Sequence, residues 1–202
     1  MWNERYAGQD YLFGTEPARF LVAQAHRIPP ASRVLCVADG EGRNSVYLAS
    51  LGHAVTAFDP APNALDKARQ LAERTGVAVD LREASTESWD WAPDAVPVVV
   101  AIFIQFAAPP ERARTFANIA RTLTPGGHLL LHGYAPRQVS YGTGGPPFVE
   151  NMYTLPLLHE AFPDWSVLHE ADYDAEIDEG TGHAGRSGLI DFVVQKPGGT
   201  GP

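Results

Sequence analysis

The chain has 202 residues, 45% hydrophobic and 19% charged, enough for one domain with a full core. A formal net charge of −9, with no Lys/Arg cluster, argues against general binding to nucleic-acid phosphates or anionic membranes. One cysteine, Cys36, leaves no disulfide and no cysteine metal cluster; no apolar run reaches transmembrane length, and the first residues lack signal-peptide order, so a cytoplasmic protein is expected.

Residues 1–14 carry Trp2, Tyr6, Tyr11 and Phe13. Within the N-terminal segment 1–29 they form either a lid over a site or a plain cover for apolar surface. Thr15 is the expected N-cap of a first helix whose apolar face is Ala18, Leu21, Val22 and Ala25, ended by Pro29-Pro30. Arg33 to Ala38 is apolar on both faces and predicts a central parallel strand. It runs into Ala38-Asp39-Gly40-Glu41-Gly42, then into a helical pattern that stops at Gly52. Glycines there permit positive φ and let a ligand approach bare backbone at a helix start.

The second strand, Ala54 to Phe58, ends at Asp59, an acid placed to accept hydrogen bonds from ribose hydroxyls. A helix from Pro60 and Pro62 to Gly76 follows, then a third strand, Val77 to Leu81, with Ser85 and Thr86 beyond its end. Pro97 to Ile104 is the most apolar run and predicts a buried fourth strand. After a helix opened by Pro109-Pro110, Thr124-Pro125-Gly126-Gly127 turns the chain into a fifth strand, His128 to His132. The β-α repeat predicts a parallel sheet with helices on both faces.

Residues 134–152 read as a long loop, either functional or mobile, and Leu155 to Phe162 as a short helix. Trp165 to Tyr173 and Ser187 to Gln195 predict two antiparallel strands joined by an acidic, glycine-rich connection, 174–186. The acidic stretch Asp172, Asp174, Glu176, Asp178 and Glu179 reads as a solvated face, because Ca²⁺ loop order is missing, and no metal is expected. Residues 1–196 form one domain in this reading, with a disordered tail at 197–202.

Five parallel strands and a terminal antiparallel pair resemble the order of class I S-adenosylmethionine (SAM) methyltransferases. Ala38-Asp39-Gly40-Glu41-Gly42 resembles their glycine loop, Asp59 their ribose-binding acid, and Leu123-Thr124-Pro125-Gly126-Gly127 the turn before their fifth strand. The resemblance implies a Rossmann-like α/β fold with a mostly parallel seven-stranded sheet. It also implies SAM as cofactor and S-adenosylhomocysteine as product. Gly42 to Ala49, Trp2-Asn3-Glu4-Arg5-Tyr6 and Phe13-Gly14-Thr15-Glu16-Pro17 further resemble tellurite-resistance methyltransferases, which are similar to thiopurine S-methyltransferases. That likeness implies a small-molecule acceptor with a sulfur, selenium or tellurium centre, on a monomer or homodimer. Three positions depart from the pattern: Ala38 replaces the first loop glycine, Cys36 a strand acid and Ser85 an adenine-binding acid.

The expected cofactor residues are Ala38, Asp39, Gly40, Gly42, Arg43, Asn44, Asp59, Ser85, Thr86 and Ile102. Arg43 and Asn44 either hold the methionine end or form a solvated first turn; Ser85 and Thr86 either meet adenine or cap a turn. The family places His and Arg near the acceptor, which implies that role for His183 and Arg186; both are equally readable as inert loop residues. Two other functions fit parts of the pattern. Gly40, Gly42 and Asp59 also suit an NAD-dependent oxidoreductase, although Ser45 replaces its third glycine. A non-catalytic SAM-binding protein is the other.

Overall fold

The computed structural model describes residues 2–199. Seven strands form one sheet in the order β3-β2-β1-β4-β5-β7-β6. β1 (Arg33–Val37), β2 (Ala54–Asp59), β3 (Asp80–Glu83), β4 (Val96–Ile102) and β5 (Leu123–Tyr134) are parallel. β7 (Ala184–Gln195) runs antiparallel between β5 and β6 (Ser166–Asp178).

β1 is central because both of its faces are apolar. Leu35 and Val37 pack with Phe116 and Ile119 of α5 (Pro109–Thr122) and Leu158 of α7 (Leu155–Ala161). Val34 and Cys36 face Phe20 and Leu21 of α2 (Arg19–Gln24) and Leu48 of α3 (Arg43–Ser50). Each such buried Leu or Val contributes roughly 1.5–3 kcal/mol. α4 (Pro62–Thr75) packs on α3 through Val46, Leu71 and Ala72. Two short helices complete the chain, α1 (Trp2–Arg5) and α6 (Gln138–Tyr141). Among the described residues no helix is long and apolar enough to cross a membrane.

Several boundaries differ from expectation. α2 starts at Arg19, and Thr15 is not its cap. The Ala18 N–H instead donates to Asn44 Oδ1 at 3.0 Å, so a residue of α3 caps α2. Val22 is 51% exposed and Phe20 takes its place in the core. β3 begins at Asp80, not Val77. The terminal strands run on to Asp178 and back from Ala184, because cross-strand pairing continues to Asp178 opposite Ala184. The tip is therefore only 179–183. Of the tail 197–202, residues 200–202 lie outside the described residues, and the Pro197 carbonyl accepts from Gly126 N–H at 3.3 Å.

β6 is a long edge strand carrying Glu170, Asp172, Asp174, Glu176 and Asp178 on alternate positions. Such a carboxylate row discourages edge-to-edge pairing with another chain. Part of it is neutralised locally, by Arg137 on Asp172 and Asp174 and by Arg186 on Asp174.

Candidate active site

β1 and β4 are neighbours whose connections leave to opposite sides, so a crevice opens at their carboxyl ends. A cavity of about 590 Å³ lies there. Its floor is the corner after β1. Ala38 adopts φ 47° and Gly40 φ 62°, so the family-type glycine position is filled by an alanine held in the left-handed region. A Cβ on Gly40 would stand 3.1 Å from the Tyr6 hydroxyl, which keeps this backbone bare toward the cavity.

Asp39 and Asp59 flank the corner and line the cavity. Asp59 Oδ2 accepts from Gly40 N–H at 3.0 Å and Oδ1 from Ala61 N–H at 2.9 Å. One lone pair on each oxygen remains for hydroxyl donors. Burial raises its pKa against those two bonds. Asp39 Oδ2 is buried without a hydrogen-bond partner. Burial pushes its carboxyl up to about 7, opposed by hydrogen bonds from Ser45. Gly42 lies outside the lining. A Cβ there would be 2.6 Å from Ala68 Cβ, so its bareness serves the contact of α3 with α4.

Ser85, Thr86 and Ile102 line the cavity. The Ser85 hydroxyl also accepts from the Glu87 and Ser88 N–H groups, at 3.3 and 3.2 Å, and so caps its own turn. Trp89 belongs to the core, stacked on Phe58 at 4.5 Å. Arg43 and Asn44 reach the lining, but their main polar groups are spent on the protein. Asn44 caps α2, and Arg43 Nη2 donates to Glu179 Oε2 at 2.8 Å.

Glu179, expected on a solvated face, is thus buried, 8% exposed, because Arg43 draws it in; its other oxygen accepts from Arg19 N–H at 3.2 Å. A second buried pair lies alongside. Lys67 Nζ donates to Glu41 Oε1 at 2.8 Å and to the Asp10 carbonyl at 2.6 Å, while Glu41 Oε2 accepts from Phe13 N–H at 3.3 Å. Glu41 of the loop and Arg43 at the start of α3 therefore anchor the two parts of the roof.

That roof is the N-terminal aromatic segment and the β6–β7 tip. Trp2, Arg5, Tyr6 and Phe13 line the cavity from above, with Pro146, Pro147 and Phe148 of the long loop beside them. Glycines allow the parts to interlock: a Cβ at Gly180 would lie 2.5 Å from Gly14 N, and one at Gly182 2.4 Å from the Phe13 ring.

The tip brings in His183 but not Arg186. His183 lines the cavity between Phe13 and Phe103, each ring 4.3 Å away. Its Nδ1 is buried without a partner. Burial, then the nearby Arg43 charge, lowers its pKa to about 3, so the ring is neutral at physiological pH. Arg186 points to the outside of the hairpin and its Nη2 donates to Asp174 at 3.0 Å. Hydrogen bonds from Tyr141, Arg137 and Arg186 hold the Asp174 carboxyl well below the usual carboxylate range.

Phe103, at the end of β4, is a bulky residue at φ 55°. Such strain persists where surroundings over-determine it. Its ring meets His132, Tyr134 and His183 at 4.9, 4.7 and 4.3 Å. His132 sits behind it, 2.7 Å from Asp191. The sequence offers no pattern for Glu41, Glu179 or Phe103, because their partners come from distant elements.

Residues 34–127 match a protein family described as a methyltransferase domain. The fold also superposes on a solved SAM-dependent methyltransferase from Methanosarcina mazei with a TM-score of 0.70 at 18% identity, covering 91% of this chain and 99% of that one, and on TehB from Haemophilus influenzae with a TM-score of 0.71 at 18% identity, covering 96% and 65%. The fold is that of the class I methyltransferases. A structure from a study of the conversion of a disulfide bond into a thioacetal group during echinomycin biosynthesis gives a TM-score of 0.78 at 17% identity, covering 98% and 89%. In sequence, the chain is 32% identical over 130 residues to the ubiquinone biosynthesis O-methyltransferase of Xanthomonas axonopodis pv. citri, covering 64% of this chain and 54% of that one. The chain thus spans about half the length of this curated relative. Within the methyltransferase fold, β7 inserted between β5 and β6 is the feature that the sequence-level dinucleotide reading lacks.

Proposed function

We propose that the chain is a SAM-dependent methyltransferase acting on a small molecule at a thiol, selenium or tellurium centre. One observation carries the reading: bare backbone at Gly40 lies between two cavity carboxylates, one with an unpartnered oxygen, under an aromatic roof. The residues fit the cofactor. Asp59 offers lone pairs for sugar hydroxyls, Gly40 leaves backbone uncovered, and Asp39 provides negative charge for a cation. Ser85, Thr86 and Ile102 form the wall proposed for the base. When bound, SAM supplies a methyl group carried on a positively charged sulfur.

The remaining task of the protein is placement of two reactants and exclusion of water. The roof of Trp2, Tyr6 and Phe13 supports both. A preference for sulfur over oxygen follows from His183. An imidazole whose pKa is lowered to about 3 is a weak base and gives a hydroxyl little help. A thiol, with a pKa of about 8.5, needs far less. Arg186, tied to Asp174 outside the cavity, has no part in this proposal.

Calorimetry with SAM and S-adenosylhomocysteine tests the cofactor, with micromolar binding expected. A screen with methyl-labelled SAM over thiols, selenols and alcohols tests the acceptor. No heat with either nucleoside at millimolar concentration defeats the proposal; turnover confined to alcohols defeats its sulfur part.

A further inference from the structure

We propose that the acceptor is an uncharged, largely apolar molecule and that anionic acceptors are rejected; this rests on the methyltransferase reading above. The cavity lining includes Phe13, Phe103, Tyr134, His183, Pro147 and Phe148, the first four joined by ring contacts. The lining imidazole, His183, lies between two rings, and its Nδ1 and the Tyr134 hydroxyl are both buried without a partner. Neutral polar groups among rings suit a ligand that brings no charge of its own.

The charges on the lining point the same way. Asp39 and Asp59 are the acids. Arg43 is neutralised by Glu179 at 2.8 Å. Arg5 sits at the rim with its guanidinium 4.3 Å over the Trp2 ring. Arg137 and Arg186 are committed to Asp172 and Asp174, outside the cavity. Among the described residues, an anion seated among the rings would meet carboxylates and no free cation in the interior, at a large desolvation cost. A net charge of −9 adds a long-range repulsion. The same region offers an uncharged thiol apolar burial.

The test compares butanethiol with 3-mercaptopropionate, a thiol of similar size that carries a carboxylate, and with tellurite. Each is titrated calorimetrically into the full chain saturated with S-adenosylhomocysteine, and into the chain alone. Butanethiol is expected to bind at least about tenfold more tightly than 3-mercaptopropionate, with no heat from tellurite. Equal or reversed affinities overturn the proposal, as does absence of butanethiol binding. Arg5→Gln isolates the lining cation that, among the described residues, is not paired with Glu179. The preference is expected to persist in it; anion binding by the wild type that disappears in Arg5→Gln overturns the proposal and assigns anion capture to the rim. Failure of S-adenosylhomocysteine to bind defeats the methyltransferase reading instead, and the titrations of the chain alone still decide the charge preference.

Discussion

Gln105 clasps the main chain of Tyr134 from both sides. Its Nε2 donates to the Tyr134 carbonyl at 2.8 Å and its Oε1 accepts from the Tyr134 N–H at 2.6 Å. Gly133 makes the room, since a Cβ there would stand 2.5 Å from Oε1. The clasp joins the loop after β4 to the end of β5 and fixes Tyr134 in the cavity wall. Gln105→Ala strands buried backbone groups, so a loss of about 2–4 kcal/mol is expected in urea unfolding. A loss under about 0.5 kcal/mol would mean that water replaces the amide.

Gly42 and Ala38 should respond in opposite directions. Gly42→Ala puts a Cβ 2.6 Å from Ala68 Cβ at φ 87°, and a cost above about 2 kcal/mol is expected. Ala38→Gly relieves a left-handed alanine at φ 47° and should be neutral or stabilising by up to about 1 kcal/mol. Thermal unfolding of the two variants checks both signs.

The central strands were legible because they are continuous apolar runs, as at Arg33 to Ala38 and Pro97 to Ile104, whereas β3, Asp80–Glu83, is mostly polar and its start was sought at Val77. The corner with Asp59 was legible for a related reason: it needs fixed residue types at fixed spacing. What stayed hidden depends on long-range partners. Glu179 looked solvated among five acids until Arg43, 136 residues away, drew it inward. Asn44 and Ala18 likewise met only in three dimensions, so the cap of α2 was sought at Thr15. His183 and Arg186 are three residues apart, yet the twist of the β6–β7 tip sends one into the cavity and the other to the outer face of the hairpin.

Arg43 and Glu179 form a pair buried on both sides, with side chains 7% exposed each. Breaking one partner leaves an uncompensated charge, so Glu179→Gln should destabilise by about 3 kcal/mol. It should also loosen the tip, read as faster amide exchange at residues 180–185. The double change Arg43→Met with Glu179→Leu removes both charges and should recover most of that loss. A double variant as unstable as Glu179→Gln would place the energy in Arg43 contacts other than Glu179.

Asp39 gives the chain a pH signature. Its carboxyl ordinarily titrates near 3.8 and is held at about 7 by burial. Between those values the folded chain keeps a proton that the unfolded chain has released. The stability linked to Asp39 is therefore full below pH 3.8 and is lost as pH rises through about 7. His183 acts in the opposite sense: its folded pKa is lowered from 6.5 to about 3, so its contribution is present above pH 6.5 and is lost as pH falls through about 3. Comparison of variant with wild type, not the bare profile, isolates Asp39. Asp39→Asn should raise the midpoint temperature at pH 8 by several degrees relative to wild type and lose that advantage at pH 4. The ionised carboxylate also favours a cation, so SAM should gain on neutral-sulfur S-adenosylhomocysteine as pH climbs from 6 to 8. Parallel titrations of both nucleosides check this; a ratio that stays flat in wild type, or that rises equally in Asp39→Asn, removes Asp39 from the charge recognition.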